Sequence, residues 1–185
     1  MALYLTELVH RAQDGDREAA DALYAATYAD LRRIAHSRLR VFNRPTLLDT
    51  GSLVHESFIR FAEASHLELE GRSHFMYWAA RTMRSIIVDF ARRRLTERRG
   101  RGAVHVAVDG DFEPAAESPG EAEIVEVNQA LERIAAIDPR LTQVVEMKYF
   151  AGMTEPEIAQ ALGVTERTVR RDWQKARLLL RDALA

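Results

Sequence analysis

The segment MTEPEIAQALGVTERTVRRDWQKARLLLRD, residues 153–182, concentrates side chains that bind nucleic acid. At helical spacing its apolar residues fall on one side, which leaves a cationic and hydrogen-bonding row on the other. Arginine and lysine pair with phosphates, and arginine and glutamine also donate to base edges in the major groove. A merely solvated charged face is the alternative explanation. The row that we predict to contact duplex DNA is Arg167, Thr168, Arg170, Arg171, Gln174 and Lys175.

A second segment, SHFMYWAARTMRSIIVDFARRRLTERRGR at residues 73–101, mixes aromatic rings with arginines. Single-stranded DNA needs both, since rings stack on bases and cations follow the phosphates. Residues 81–102 hold eight arginines against two acids, although the net charge of the chain is only −2. A solvated charge run is the alternative, and for Trp78 the apolar stripe favours a place in the core. This basic helix is nonetheless the second candidate site for nucleic acid.

Helical periodicity predicts an all-α fold, and the first half of the chain contains four such helices. They cover residues 2–13, a stretch from after Asp16 to about Arg40, part of TLLDTGSLVHESFIRFAEAS (residues 46–65), and residues 73–98. Their apolar stripes can close one small core. The predicted stripe of the third helix is Leu53, Val54, Ser57, Phe58, Phe61 and Ala62.

Start and stop signals divide the second half into four shorter helices. The first two span about 121–137 and 140–150, with Asp138 as N-cap and Pro139 in the first turn. Thr154 and Glu157 form a capping box, and the third helix ends at Gly163. Thr165 then caps the last helix. A short helix, a glycine turn and a longer helix together predict a helix-turn-helix.

Between the halves, residues 101–120 lose the helical pattern and are rich in glycine, proline and acids. The one strand-like alternation, AVHVAVDGDF, has no partner strand. We therefore predict two small helical domains, residues 1–100 and 121–185, joined by an acidic flexible linker.

Composition argues against several other classes of protein. The 185 residues include no cysteine, which excludes disulfides and thiolate metal sites and fits a reducing cytoplasm. No apolar run approaches the ~18 residues of a membrane helix, and charges appear too early for a signal peptide. The six histidines are scattered without metal-binding or catalytic spacing. We expect a cytoplasmic protein that is not an enzyme, with no metal, no cofactor and no membrane partner.

Nearly the whole chain resembles an extracytoplasmic-function (ECF) sigma factor of bacterial RNA polymerase, within the sigma-70 family. FMYWAARTMRSIIVDFARRR resembles the helix that melts and recognises the minus-ten promoter element, with Trp78, Arg84 and Asp89 at typical positions. DPRLTQVVEMKYFAGMTEPEIAQALGVTERTVRRDWQKAR is similar to the minus-thirty-five recognition domain, with Trp173 where many members have a smaller apolar residue. The order of the two parts adds specificity that neither motif has alone.

The resemblance implies a sigma region 2-like four-helix domain and a sigma region 4-like helix-turn-helix domain. The first would hold the non-template strand of the opened minus-ten element, with one flipped base in the loop around Leu67 to His74. The last helix would enter the minus-thirty-five major groove. The minus-ten contacts that this implies are His74, Arg81, Arg84, Ser85, Arg92 and Arg93.

Core RNA polymerase is the protein partner that the resemblance implies, through the clamp helices of its largest subunit and its flap. The implied polymerase contacts are Asp49, Ser52, Leu53 and Glu56. Family members usually begin this helix with Asp-x-Glu-Asp, but here Gly51 and Ser52 replace two of the acids. We hypothesise that phosphorylation of Thr50 or Ser52 restores the charge at this helix start, where the dipole favours an anion. Simple helix capping, with Thr50 as N-cap, is the favoured alternative.

Two questions stay open at the level of sequence. The regulator implied by the resemblance is an anti-sigma factor, a Ser/Thr kinase or neither. The main alternative function is a stand-alone helix-turn-helix regulator, which would bind duplex DNA unaided as a symmetric dimer. No heptad seam predicts such a dimer, and the basic aromatic helix would then have no purpose.

Overall fold

Every element in the described part of the chain is helical. The computed structural model describes residues 2–39, 48–64, 67, 69–101 and 119–185, with no strand among them. The all-α prediction is confirmed, while the predicted linker falls mainly on residues 102–118, outside the described residues. The helices are α1 (Ala2–Gln13), α2 (Arg17–Leu39), α3 (Thr50–Glu63), α4 (Arg72–Arg101), α5 (Pro119–Ile137), α6 (Pro139–Val145), a π-helical turn (Glu146–Phe150), α7 (Glu155–Leu162) and α8 (Glu166–Ala183).

The N-terminal half, α1–α4, packs around the stripes that the sequence predicts. In α2, Leu23 and Leu31 are fully buried, and Thr27 satisfies its buried hydroxyl by donating to the Leu23 carbonyl at 2.7 Å. Phe61 of α3 and Phe75 of α4 meet edge-on with ring centroids 5.2 Å apart, a preferred aromatic geometry. These contacts hold α3 and α4 in fixed relative positions.

The start of α3 differs from the prediction. Its N-cap is Asp49, whose carboxylate accepts the Ser52 N–H at 3.0 Å, so the assignment of Thr50 as N-cap is wrong. Asp49 fulfils the capping role well because its side-chain oxygen reaches the N3 amide and its charge is favoured at the positive end of the helix. Ala62 is exposed rather than buried. It lies at the edge of the stripe, where so small a side chain has little area to bury.

The C-terminal half, α5–α8, has the predicted helix ends, except that α5 begins at Pro119 rather than at about residue 121. Asp138 caps α6, and Thr154 forms the capping box of α7 with Glu157. Gly163 ends α7 at φ +62°, a left-handed conformation that favours glycine. Thr165 caps α8 by accepting the Thr168 N–H at 3.2 Å. The predicted helix-turn-helix is therefore present.

The helix predicted over residues 140–150 changes its geometry part-way. After α6 the chain continues as a π-helical turn, in which the Ala151 N–H donates to the Glu146 carbonyl five residues back at 2.8 Å. Such turns are rare and accommodate one residue more than an α-helical turn. The periodicity of the sequence gave no indication of it.

The two halves also pack against each other. Helix α4 contacts α5, the π-helical turn and α7. The main apolar cluster includes Met83 from the N-terminal half together with Met147 and Ile158 from the C-terminal half. A smaller cluster, built on Leu131 and Leu141, lies within the C-terminal half. The division of the chain into two separate domains at the linker stays a prediction.

Candidate nucleic-acid interface

The outer face of α8 presents the residues predicted to contact duplex DNA. Val169 and Ala176 are fully buried on its inner face. On the outer face Thr168 is half-buried, and the other five predicted residues are exposed. One surface concavity is lined by Arg167, Thr168, Arg170, Arg171 and Gln174.

The charges around α8 leave this face electropositive. Arg170 lies 3.7 Å from Glu155 of α7, and Lys148 donates to the same carboxylate at 2.6 Å. The hydrogen bond from Lys148 is the main cause that lowers the pKa of Glu155. Within the described part of the chain, no carboxylate forms an ion pair with Arg167 or Lys175. These two cations can therefore meet phosphates without first breaking an internal pair.

A buried carboxylate fixes the orientation of α8. Asp172 is 3% exposed and accepts from the Arg140 Nε of α6 at 2.7 Å, while the Arg171 Nε lies 3.5 Å from its other oxygen. The hydrogen bond to Asp172 raises the pKa of Arg140. Rotation of α8 about its axis would break the Arg140–Asp172 pair. The pair therefore fixes the direction in which the cationic residues of α8 face. The sequence gave no sign of Arg140 as a supporting residue.

The side chain of Arg84, which is predicted to contact the minus-ten element, forms hydrogen bonds within the protein. Its guanidinium donates to the carboxylate of Glu146 and to the side-chain carbonyl of Asn128. The Tyr77 hydroxyl donates to the same Glu146 at 2.8 Å, and burial, followed by the Glu146 charge, raises the pKa of Tyr77. Glu146 itself is only 2% exposed. Arg84 thus faces the C-terminal half in this structure.

His74, also predicted for the minus-ten element, faces α7. Its Nδ1 accepts the Glu70 N–H at 3.3 Å, which leaves Nε2 to donate to the Ala161 carbonyl at 3.1 Å. The predicted flipped-base loop borders a concavity of about 350 Å³, whose opposite wall includes Glu157 and Gln160 of α7. Residue 68 of this loop lies outside the described residues.

The other predicted minus-ten residues lie on the open surface of α4. They are Arg81, Ser85, Arg92 and Arg93. Arg92 lies 3.9 Å from Glu132 of α5. Trp78 is half-buried and packs edge-on against Phe61 at 5.5 Å, in agreement with the core position that its stripe favours. The structure therefore separates the predicted minus-ten set into a surface group and a group engaged by the C-terminal half.

The predicted polymerase contacts lie near the start of α3. Asp49 and Ser52 are exposed, and the Ser52 hydroxyl donates to the Asp49 carboxylate at 2.8 Å. The Ser52 backbone N–H is the main cause that lowers the pKa of Asp49. Glu56 lies 3.5 Å from the Arg60 Nε. Leu53 is 0% exposed, so its side chain presents no surface to a partner in this packing.

The described residues contain neither a metal site nor a membrane-spanning helix. No group of histidine, aspartate and glutamate side chains among them could hold a metal ion. None of their helices combines the length and apolar character needed to cross a membrane.

The profile of the ECF sigma factor family matches residues 3–185. The chain belongs to the ECF sigma factor family. Among solved structures, this sigma factor is similar to CnrH, as seen in "Structure of CnrH in complex with the cytosolic domain of CnrY". The two share 20% identity, over 98% of this chain and 97% of that chain, with a TM-score of 0.42. No curated protein sequence matches this sigma factor significantly.

Membership of the family confirms the resemblance drawn from the two sequence motifs. The role of this family in transcription initiation, which includes DNA binding, agrees with the helix-turn-helix and with the exposed cationic face of α8.

Proposed function

We propose that this sigma factor binds core RNA polymerase in the cytoplasm and directs promoter recognition, DNA melting and transcription initiation at a specific set of promoters. The observation that supports this most directly is the presence of two separate cationic surfaces, on α8 and on α4, in a chain that the family profile matches throughout. A protein that reads only duplex DNA needs the first surface alone. The action is binding rather than catalysis.

The upstream element is read by α8 in this proposal. Its exposed arginines and Gln174 would donate to base edges, while flanking cations would contact phosphates. The Arg140–Asp172 pair gives this helix the fixed aim that direct readout of bases requires.

The minus-ten element is held by α4 in this proposal. Arg81, Arg92 and Arg93 are exposed and offer cations to a single strand. Arg84 and His74 would join them once the C-terminal half moves away. Such a movement requires residues 1–100 and 121–185 to act as separate domains, which is the division predicted from the sequence.

The polymerase surface proposed here is the start of α3. Asp49, Ser52 and Glu56 present oxygens to the basic clamp helices expected of the largest subunit. The flap would receive the C-terminal half. An anti-sigma factor, a regulator that the family resemblance implies, would compete for these surfaces.

Run-off transcription with purified core polymerase tests the proposal. We expect RNA synthesis from genomic promoter fragments only when polymerase and this protein are combined. If the mixture initiates at no genomic site, the proposal is wrong. The stand-alone regulator is separated from it by a gel shift, because that alternative requires strong binding to promoter duplex by the free protein.

We further propose that phosphorylation at the start of α3 strengthens polymerase binding, and the geometry favours Thr50 over Ser52. The Ser52 hydroxyl already donates to Asp49, so a phosphate there would bring two anions together and disturb the cap. Thr50 is half-exposed in the first turn, and no hydrogen bond within the described residues engages its hydroxyl. A phosphate at Thr50 adds charge beside the helix dipole while leaving the Asp49–Ser52 bonds in place.

Affinity for core polymerase in the Thr50→Glu and Ser52→Glu variants tests this preference. We expect Thr50→Glu to bind about tenfold more tightly than the wild type, since one well-placed charge is worth about 1.4 kcal/mol. Ser52→Glu should gain less or lose affinity, because it repels Asp49. Equal affinities for all three proteins would end the phosphorylation hypothesis.

A further inference from the structure

A small cavity lies where α2, α4, α5 and the π-helical turn meet. Its volume is about 160 Å³. This is close to the roughly 150 Å³ of a protein cavity that holds one benzene molecule. The apolar part of its wall is formed by Ile87, Val88, Ile124, Val127, Leu131 and Phe150. The cavity therefore has the size and the apolar lining of a site for one small ring.

Two arginines also line this cavity, Arg38 from α2 and Arg84 from α4. The Nε atom of each arginine is buried and has no hydrogen-bond partner among the residues that the structure describes. The charge of Arg84 is balanced, because its guanidinium donates to the carboxylate of Glu146. Most buried polar groups in proteins have a hydrogen-bond partner, so two such N–H groups beside one cavity need an explanation.

The charge of Arg38 is not balanced by an acid of the protein. Its guanidinium donates to the Phe150 carbonyl at 3.2 Å and lies 4.4 Å from the centre of the Tyr149 ring. Within the described ranges, no carboxylate forms an ion pair with Arg38, and burial lowers the pKa of this guanidinium. Glu123, the acid among the lining residues, is exposed to water. A charge removed from water is costly unless it is paired, so Arg38 is suited to an anion that comes from outside the chain.

We propose that this cavity binds a small organic acid, with its carboxylate on Arg38 and a compact apolar body, about the size of a benzene ring, against the aliphatic wall. A planar carboxylate can accept two parallel hydrogen bonds from one guanidinium, and the Nε–H is one of the donors available for such a pair. The Nε–H of Arg84 offers a further donor.

The two features of the site select this class of ligand together. An inorganic anion would pair with Arg38 but would leave the apolar wall without a contact. A neutral hydrocarbon would bury the wall but would leave the guanidinium without an anion. An acid with a compact apolar body satisfies both.

The ligand would also connect the two halves of the chain, because the walls of the cavity come from α2 and α4 on one side and from α5 and the π-helical turn on the other. A ligand that binds only one arrangement of a protein stabilises that arrangement, and the effect grows with ligand concentration. The site would therefore make the relative position of the halves sensitive to the concentration of an organic acid. This inference goes beyond the proposed function and needs neither polymerase nor DNA for its test.

Benzoate is the probe, and isothermal titration calorimetry with the full chain measures its affinity at constant ionic strength. We expect one site with a Kd on the order of 0.1–1 mM, as is usual for a ligand with so few atoms. Benzyl alcohol has the ring without the charge, and acetate has the charge without the ring. Each should bind at least about tenfold more weakly than benzoate.

Two variants of the full chain test the two parts of the site. Arg38→Met removes the charge and keeps a long side chain, and it should weaken benzoate binding at least about tenfold. Arg32→Met is the matched control on the exposed side of α2, and it should bind benzoate like the wild type. Val127→Phe leaves Arg38 in place and fills the cavity, so it should also lose benzoate binding. Circular dichroism shows which variants are folded, and Val127→Phe keeps the test decisive if Arg38→Met does not fold.

Several results would overturn the inference. They are no saturable binding of benzoate by the wild type in the millimolar range, equal affinities of Arg38→Met and Arg32→Met, or undiminished binding by Val127→Phe. Binding of acetate or benzyl alcohol as tight as that of benzoate would overturn it too, because one of the two features would then have no role. Any of these results leaves the proposed function untouched, while a failure of run-off transcription leaves the organic-acid site untouched.

Discussion

Truncation of the exposed partner in the Arg140–Asp172 pair should destabilise the protein more than truncation of the buried one. The side chain of Arg140 is 41% exposed and that of Asp172 is 4% exposed. In Asp172→Ala, Arg140 regains water, so the cost is one charge-assisted hydrogen bond, about 2 kcal/mol. In Arg140→Ala, a buried carboxylate keeps only Arg171 at 3.5 Å, and a buried charge that loses its partner costs about 3–5 kcal/mol.

The free energy of unfolding is measured by urea denaturation at pH 7. The chain has two tryptophans, so a Trp78→Phe background leaves the fluorescence of Trp173, next to Asp172 on α8, as a local probe. Arg171→Ala is the matched control. It removes an equally charged side chain that is 70% exposed, and we expect it to cost less than about 1 kcal/mol.

The test is which of the two variants, Asp172→Ala or Arg140→Ala, loses more of the free energy of unfolding. If Asp172→Ala is as destabilising as Arg140→Ala, or more so, the carboxylate does not depend on Arg140 for its burial. The role given to this pair in aiming α8 would then be wrong.

Three further predictions follow from single residues. Arg171→Ala should weaken binding to the upstream promoter element about tenfold, which lies within the ~1–3 kcal/mol of a base contact. Its affinity for polymerase should be unchanged. A loss of polymerase affinity would contradict the placement of Arg171 on the DNA-binding face of α8. In thermal unfolding, Gly71→Ala should lower the free energy of unfolding by about 2–3 kcal/mol, and Gly163→Ala should lower it by about 1 kcal/mol. Both have positive φ, but only at Gly71 would a Cβ meet a neighbour, the Thr6 Oγ1 at 2.7 Å, so equal costs would refute the argument. The Thr154 N–H lowers the pKa of Glu157, so the capping contribution of Glu157 is complete above the ordinary value of about 4.3 and is lost as the pH falls through the lower pKa of the folded state. The stability difference between wild type and Glu157→Gln should therefore shrink as the pH is lowered below that ordinary value, and a constant difference would contradict it.

The ends of the helices were predictable because the residues that fix them are close together in sequence. The capping box joins Thr154 to a carboxylate three residues later, and Gly163 supplies the conformation that ends α7. The wrong N-cap of α3 is a failure of the same kind of reasoning, since Asp49 and Thr50 are adjacent and both can cap. Local chemistry limits such an error to one residue.

The contacts that Arg84 and His74 of the candidate site make with the C-terminal half could not be predicted, because they join distant parts of the chain. Arg84 meets Glu146 across 62 positions, and His74 meets Ala161 across 87. The sequence marks the arginines of α4 as cationic but does not indicate which acids lie opposite them. The outer face of α8 was predictable in contrast, since exposure there follows from the helical period alone.

The π-helical turn fixes the length of the chain between α6 and the helix-turn-helix. Deletion of one residue from Glu146–Phe150 would restore an ordinary α-helical turn, and the later residues would keep nearly the same direction around the helix axis, because the π-helical turn absorbs one extra residue locally. The hydrogen bond from Arg38 to the Phe150 carbonyl and the direction of α8 would then change little. Relatives that are one residue shorter here should therefore have an ordinary α-helical turn in this place and orient their two halves in the same way.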